Sequence, residues 1–130
     1  MKVMGDVILP HSYPQRTKRK VPTLKRSACL DTIAHEHAQT MAEHQSVHNS
    51  VQTAQELQTI LKSEHVGENV QRGKSVFAMH ETCMKAFDSI HRRNILSAKF
   101  TEFGMGTAKG PDGLLYMVQL FRSSPLQLPP

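Results

Sequence analysis

Apolar side chains recur at helical spacing in the segment that begins at Leu30. Seven positions share one face of this segment: Leu30, Ile33, Ala34, His37, Ala38, Met41 and Ala42. Residues three and four apart lie together on the surface of a helix, so this spacing favours an amphipathic helix over residues 30–44. Asp31 falls in its first turn, where a negative charge suits the positive end of the helix. We expect the shared face to pack against the core.

Weaker helical signals follow. Residues 45–52 are polar and indicate a loop, and residues 54–61 favour a second, short helix. Ser75 has the residue type of an N-cap and predicts a third helix that continues to about Asp88. A short helical segment follows at residues 92–96. Between the second and third helices, residues 65–70 interrupt the helical pattern, and we interpret them as a turn.

The C-terminal third has a different pattern. Two β-like segments, 101–108 and 114–121, flank the sequence Lys-Gly-Pro-Asp-Gly. This arrangement is typical of an antiparallel hairpin with a loop of about five residues. Because an isolated hairpin is at best marginally stable in water, its strands must pack against the amphipathic helices. The pattern therefore predicts an α+β fold.

Charge separates the chain into a basic leader and a nearly neutral remainder. The 130 residues carry a net charge of +5 and are 38% hydrophobic. Residues 1–29 carry +6 and residues 30–130 carry −1. A folded nucleic-acid-binding domain is typically basic over its binding surface, so we expect no nucleic-acid partner except through the leader. We therefore predict a flexible leader over 1–29, a domain over 30–122 and a tail over 123–130.

Neither the cysteines nor the N-terminus fix the compartment. Cys29 and Cys83 could form one disulfide or remain buried thiols, and the sequence leaves both open. Residues 1–9 are interrupted by Asp6 and followed by Pro10, which is a poor match to a signal peptide. No run of 18 apolar residues occurs, and we expect no transmembrane segment.

Two groups of polar residues are candidates for chemistry. His35-Glu36-His37 lacks the His-Glu-x-x-His spacing of a zinc protease, and His44 and His48 share a helix face only if the helix continues. Gly67-Glu68-Asn69-Val70 places a carboxylate between small and polar neighbours, as on a tight turn at the edge of a cavity. An ordinary loop is the alternative interpretation.

The order of these motifs along the chain is more specific than any one of them. The first helix is followed by His48, by Gly67-Glu68-Asn69-Val70, by the amphipathic helix predicted after Ser75, by His91-Arg92-x-Asn94-Ile95-Leu96, by Phe103-Gly104-x-Gly106 and by Tyr116-x-x-Gln119-x-Phe121. The order resembles the CAP superfamily of cysteine-rich secretory, antigen 5 and pathogenesis-related 1 proteins, also called SCP domains, in its compact microbial form. The resemblance covers about residues 30–122. It implies an α-β-α sandwich with helices on both faces of a small antiparallel sheet.

The resemblance also implies a cleft formed by two histidines and two acids. By motif position these are His48, His91, Glu68 and Asp88, with Glu81 as an alternative second acid and Asn69 beside Glu68. Such a set can bind zinc or magnesium, and His48 and His91 would be the metal ligands. The chain departs from the family pattern before His91, where residues 87–90 replace the usual run, and it contains no tryptophan.

The resemblance favours a secreted binding protein over an enzyme. Lipids, sterols and partner proteins are the ligands it implies, and an extracellular location follows from it. One alternative is a metal-assisted, protease-like hydrolase that uses the same cleft, although Ser89 is a candidate nucleophile only by its closeness to His91 in sequence. The other is binding of polyanions or anionic membranes through the basic residues of 16–26.

Overall fold

The computed structural model of the chain contains a four-stranded sheet with helices on both faces. It describes residues 16–17, 20–21, 23–47, 55, 58–59, 62–79 and 90–123, of which 90–92 are described as backbone only. The elements in chain order are β1 (Lys25–Arg26), α1 (Ala28–His44), β2 (Val66–Gly73), α2 (Ile90–Leu96), β3 (Glu102–Lys109) and β4 (Leu115–Arg122). The predicted α+β class is confirmed.

The first predicted helix is α1, and it begins two residues earlier than expected. The Ser27 hydroxyl accepts a hydrogen bond from the backbone N–H of Leu30 at 3.2 Å, which caps the helix in front of Ala28. At the other end Gln45 takes a left-handed conformation and its N–H donates to the carbonyls of Met41 and Ala42. Both ends are thus satisfied by local hydrogen bonds, as helix termini require.

Two glycines of β3 allow α1 to lie directly on the sheet. A Cβ added to Gly104 would lie 2.3 Å from Leu30 Cβ, and one added to Gly106 would lie 2.2 Å from the backbone nitrogen of His35. Atoms without a covalent bond between them do not approach this closely, so any side chain at either position would push the helix away. The Phe103-Gly104-x-Gly106 motif is therefore a helix-packing motif.

The strand order in the sheet is β1-β3-β4-β2. The β3–β4 hairpin is confirmed with each strand one residue later than predicted, and β2 is antiparallel to β4. Only the two-residue β1 runs parallel to its neighbour β3, which makes the sheet mixed. One core lies between the sheet and α1, and the other lies on the opposite face, where Ile95 of α2 contributes.

The predicted turn around Glu68 is wrong, because Glu68 and Asn69 lie in the eight-residue strand β2. All eight residues pair with β4, from Val66 opposite Arg122 to Gly73 opposite Leu115. The sequence of β2 contains two glycines and few β-branched residues, so its local propensity for a strand is weak. Pairing with β4, which is buried along almost its whole length, overrides that propensity.

Residues ahead of Leu30 contribute to this fold. Backbone hydrogen bonds join Lys25 N–H to Thr101 and Ser27 N–H to Phe103. Arg26 and Asp31 form a salt bridge at 2.8 Å, and Asp31 also accepts a hydrogen bond from the N–H of Met105. Arg16 is fully buried. A segment whose composition resembles that of a leader therefore packs against the end of the sheet.

Other expectations from the sequence fall partly outside the described residues. The Ser75 hydroxyl accepts a hydrogen bond from Ala78 N–H at 3.3 Å and the Ser75 carbonyl accepts one from Met79 N–H, so the predicted N-cap is confirmed. Most of the predicted helices over 54–61 and 75–88 lies outside the described residues, as does Cys83. Cys29 is free and exposed, so it is neither disulfide-bonded nor buried. No helix in the described part of the chain is long and apolar enough to cross a membrane.

Candidate functional site

Strand β2 presents Glu68 and Asn69 to opposite faces of the sheet, because successive side chains of a strand alternate. Glu68 lies opposite Leu120, whose side chain belongs to the core beneath α1. Asn69 lies opposite Gln119, next to Phe121 and Met117, which belong to the core on the other face. The two adjacent residues of the motif therefore have different environments and different partners.

On the α1 face, Glu68 pairs with His37, which lies in the buried stripe of the helix. Nδ1 of His37 lies 2.9 Å from Oε2 of Glu68, a distance at which an Nδ1–H donates to the carboxylate. The His37 side chain is 6% exposed and the Glu68 side chain 11% exposed. A carboxylate and an imidazole at such low exposure interact more strongly than they would at the surface.

On the other face, three amide side chains join α2 to the sheet. Nδ2 of Asn94 donates to Oδ1 of Asn69 at 2.8 Å, and Nδ2 of Asn69 donates to Oε1 of Gln119 at 3.1 Å. Asn94 Nδ2 also lies 3.4 Å from the backbone carbonyl oxygen of Glu68. Asn69 and Gln119 are fully buried, so their amides require such partners. The network fixes the backbone that carries the Glu68 carboxylate.

Gly67 completes this arrangement because it leaves room for two neighbours. A Cβ at this position would lie 2.8 Å from Cζ of Phe100 and 3.1 Å from Oδ1 of Asn94. A larger residue would therefore displace the aromatic ring or the amide that holds β2. The glycine of Gly67-Glu68-Asn69 is required by close packing rather than by a turn.

The structure describes the predicted site residues unequally. Glu68 and Asn69 are placed as above. The backbone of His91 lies in α2, three residues before Asn94, while His48, Glu81, Asp88 and Ser89 lie outside the described residues. The predicted roles of His48, His91 and Asp88 therefore stay predictions.

Sequence reasoning gave no role to His37, although a signal for one was present. A histidine in the middle of an otherwise apolar helix face must find a polar partner when it is buried. Glu68, 31 residues later, is that partner. The position of the partner depends on how α1 crosses the sheet, which the sequence pattern does not show.

A surface groove among the described residues lies away from this pair. It is an open groove of about 600 Å³ between α1 and the β3–β4 turn, lined among others by His35, Glu43 and Lys109. Neither Glu68 nor His37 contributes to it. The groove is therefore separate from the Glu68 contacts.

At the same end of the molecule, Asp112 of the β3–β4 turn accepts a hydrogen bond from the Tyr116 hydroxyl at 2.6 Å. This bond lowers the pKa of Asp112 and raises the pKa of Tyr116. It stabilises the turn and is separate from Glu68.

Among the described residues, no group of three or more His, Cys, Asp or Glu side chains could hold a metal ion. The His37–Glu68 pair supplies donors of the right chemistry, a carboxylate and an imidazole, but only two of them. A metal at this position would need further ligands, for which the sequence offers His48, His91 and either Asp88 or Glu81.

Comparison with known proteins identifies the family. The profile of CAP, the cysteine-rich secretory protein family, matches residues 15–121. No curated protein sequence matches significantly.

Three bacterial structures share the fold at low sequence identity. An outer surface protein of Borrelia burgdorferi is 16% identical, with a TM-score of 0.76 over 92% of this chain and 91% of that chain. An extracellular SCP-domain protein of Bacillus anthracis is 21% identical, with a TM-score of 0.74 over 92% of this chain and 40% of that chain. A cysteine-rich secretory protein of Staphylococcus aureus is 22% identical, with a TM-score of 0.62 over 89% and 38%. Since the family profile spans most of the chain, the protein belongs to the CAP, or cysteine-rich secretory protein, family.

Proposed function

We propose that this protein is an extracellular binding protein whose ligand cleft is built around Glu68. The cleft would be completed by His48, His91 and Asp88, and it would be supported by Asn69. Zinc or magnesium would bind between the imidazoles and the carboxylates. The organic ligand would be a lipid, a sterol or a partner protein. The observation that carries the proposal is the part-buried Glu68–His37 pair.

The support for Glu68 is its combination of rigidity and low exposure. Its backbone is held by pairing with β4 and by the Asn94 contact, and one carboxylate oxygen is engaged by His37. A buried ion pair is often no more stabilising than two apolar residues of similar volume, so stability alone does not require a carboxylate and an imidazole at these two positions. A carboxylate kept at such a position is a candidate for a binding role.

The metal part of the proposal rests on the chemistry of the donors. Zinc takes imidazole nitrogens and carboxylate oxygens, and magnesium takes carboxylate oxygens. His37 would orient the Glu68 carboxylate from the side of α1, as outer-shell partners commonly orient metal ligands. Because imidazoles must be neutral to bind, metal affinity would decrease at low pH, where the imidazoles become protonated.

The extracellular location rests on the family and its neighbours. The Bacillus anthracis and Borrelia burgdorferi proteins are described as extracellular and as an outer surface protein. We extend that location to this chain as part of the proposal. Secretion is testable by fractionating cells that express the native gene and detecting the protein in the medium or at the surface.

The sequence also indicates two alternative functions, a hydrolase and a polyanion-binding protein, and each has its own test. Turnover of a peptide or ester that depends on Glu68 would favour the hydrolase. For polyanion binding, the basic run is smaller than its sequence indicates, because Arg16 is buried and Arg26 is paired with Asp31. Among described basic residues of the run, Lys20 and Lys25 are exposed. Salt-sensitive heparin binding that needs these lysines would support this alternative.

The deciding experiment is a calorimetric titration with Zn²⁺ and with Mg²⁺, followed by sterol and phospholipid binding, on wild type and three variants. Glu68→Gln removes the charge and nearly preserves the shape, and His48→Ala removes a predicted ligand. Glu64→Gln makes the same charge change at an exposed position four residues earlier, and it is the matched control.

We expect Glu68→Gln and His48→Ala to weaken metal binding by at least about tenfold, since losing even an outer-shell partner has effects of this size. Glu64→Gln should bind as wild type. Circular dichroism must show that all variants are folded. Equal metal and lipid affinities in wild type and Glu68→Gln would refute the proposed cleft.

A further inference from the structure

Arg16 makes an unusual set of contacts for a residue in a basic, proline-containing segment. One terminal nitrogen of its guanidinium donates to the carbonyl of Ile95 at 2.8 Å and to that of Ser97 at 3.2 Å. The other donates to the carbonyl of Phe100 at 3.1 Å. The side chain is fully buried, and these acceptors are 79 to 84 residues away in sequence. We call the three carbonyl oxygens the carbonyl cradle.

The cradle is formed by the C-terminal end of α2 and the turn that follows. Carbonyl groups in the last turn of a helix have no partner within the helix, and they carry partial negative charge. Helix α2 ends at Leu96, so Ile95 lies in its last turn, with Ser97 and Phe100 just beyond it. A cation at this place satisfies several acceptors at once and complements the helix dipole.

The geometry suits a guanidinium better than an ammonium. Arginine has a planar fork with five N–H donors in fixed directions, and its charge is weakly hydrated. Two nitrogens of the fork reach three carbonyls that come from different parts of the turn. A lysine ammonium is a compact, strongly hydrated charge, so its transfer into the cradle would be more costly. Burial lowers the pKa of Arg16 from its usual value, yet an arginine of this kind stays protonated.

We propose that the carbonyl cradle is a guanidinium-binding site, filled in this chain by its own Arg16. When Arg16 is removed, the cradle would accept a guanidinium group supplied by another molecule. The proposal concerns a place different from the Glu68 cleft and does not depend on the proposed function.

The contrasting possibility is that Arg16 only fills space in the core. In that case the carbonyls would turn to solvent or to one another once the side chain was removed, and no ligand would restore the packing. A preformed site behaves differently, because a molecule that binds only the folded state stabilises it in proportion to its concentration.

The test uses the full chain with Arg16→Ala and ethylguanidinium as the probe. We expect the substitution to lower the Tm by about 10 °C or more, since it removes three hydrogen bonds from a charged donor. Ethylguanidinium at about 50 mM should then raise the Tm of Arg16→Ala by roughly 5 °C and leave wild type unchanged. Ethylammonium at the same concentration is the matched cation and should have no such effect.

Two further arms make the result specific. Lys20→Ala removes an exposed basic residue of the same segment and should respond to neither probe. A peptide with the sequence of residues 11–21 should raise the Tm of the Arg16→Ala variant. The same peptide with lysine in place of both of its arginines, Arg16 and Arg19, should not. The lysine substitution Arg16→Lys in the protein should remain destabilised.

If Arg16→Ala does not fold alone, the readout becomes recovery of the far-ultraviolet circular dichroism signal on addition of ethylguanidinium. Recovery with ethylguanidinium and none with ethylammonium supports the site. The proposed guanidinium site is overturned if both cations give equal responses or if neither gives a response. This holds for the Tm readout and for the circular dichroism readout.

Discussion

Gly106 is the position at which one added methyl group has the largest predicted effect on the fold. In Gly106→Ala the new Cβ would lie 2.2 Å from the His35 nitrogen, 2.3 Å from its Cα and 2.5 Å from the Ala34 carbonyl carbon. Ordinary carbon contacts are about 3.5–4.0 Å, so helix and strand would have to separate by more than 1 Å. The obstructing atoms are backbone, which cannot move aside as a side chain can.

The cost follows from what the separation would disturb. Helix α1 buries Leu30, Ala34, Ala38 and Met41 against the sheet, and all of these contacts would loosen together. Overpacking a core commonly costs about 1–3 kcal/mol, and a rigid backbone contact belongs at or above the upper end. We therefore expect Gly106→Ala to lower the free energy of unfolding by about 3 kcal/mol or more.

The assay is urea denaturation followed by circular dichroism, with Gly113→Ala as the control. Gly113 has φ of 80° and no atom within 4 Å of an added Cβ, so alanine there meets only backbone strain of about 1 kcal/mol. Displacement of α1 would also lengthen the 2.9 Å contact between His37 and Glu68. If Gly106→Ala were no more destabilising than Gly113→Ala, our account of the helix–sheet contact would be refuted.

Three other predictions test separate features. Ser27→Ala removes the N-cap of α1 and should lower the free energy of unfolding by about 1 kcal/mol in the same assay. The hydrogen bond from Tyr116 to Asp112 lowers the pKa of the Asp112 carboxyl and raises the pKa of the Tyr116 phenol. It therefore stabilises the fold between about pH 4 and about pH 10. This stabilisation is lost when the carboxyl is protonated at lower pH or the phenol is deprotonated at higher pH. In a Tyr13→Phe background, absorbance near 295 nm should show Tyr116 titrating above pH 10, and Asp112→Asn should shift that titration downward. Cys29 should react with Ellman's reagent in the native protein, because it is exposed.

Each of these has a distinguishing control. Thr32→Ala lies on the exposed side of α1, where its hydroxyl bonds back to Ala28, and it should change stability far less than the loss of the Ser27 cap. A Tyr116 titration identical in the Asp112→Asn variant would contradict the hydrogen bond. Cys29→Ser should lower the number of rapidly reacting thiols by one, and an unchanged number would contradict the exposure of Cys29.

Several parts of the fold could be predicted from the sequence because their causes are local. The helical spacing from Leu30 to Ala42 predicted α1, and the Gly-Pro-Asp-Gly cluster between two β-like segments predicted the hairpin. Ser75 was identified as a cap from its residue type alone. In each case the determining interactions lie within a few residues of one another, so a periodic pattern or a capping rule is enough.

Other features depend on contacts between distant residues. The segment Val66–Gly73 has weak strand propensity and becomes β2 only because β4 pairs with it. Arg16 lies in a segment whose composition is that of a flexible leader. Its burial depends on three carbonyls at the end of α2 and in the turn that follows. His37 finds its carboxylate in Glu68 only when α1 crosses the sheet at the distance that Gly104 and Gly106 permit.

The sequence by itself determined where α1 and the hairpin form, and the order of its motifs identified the family. Tertiary structure alone decided which polar groups meet inside the molecule. The physical reason is that burial makes an unpaired charge or amide costly, so each must find a partner, while the partner's identity is set by chain topology rather than by neighbouring residues. The Glu68–His37 pair and the Arg16 contacts are the two clearest results of that constraint.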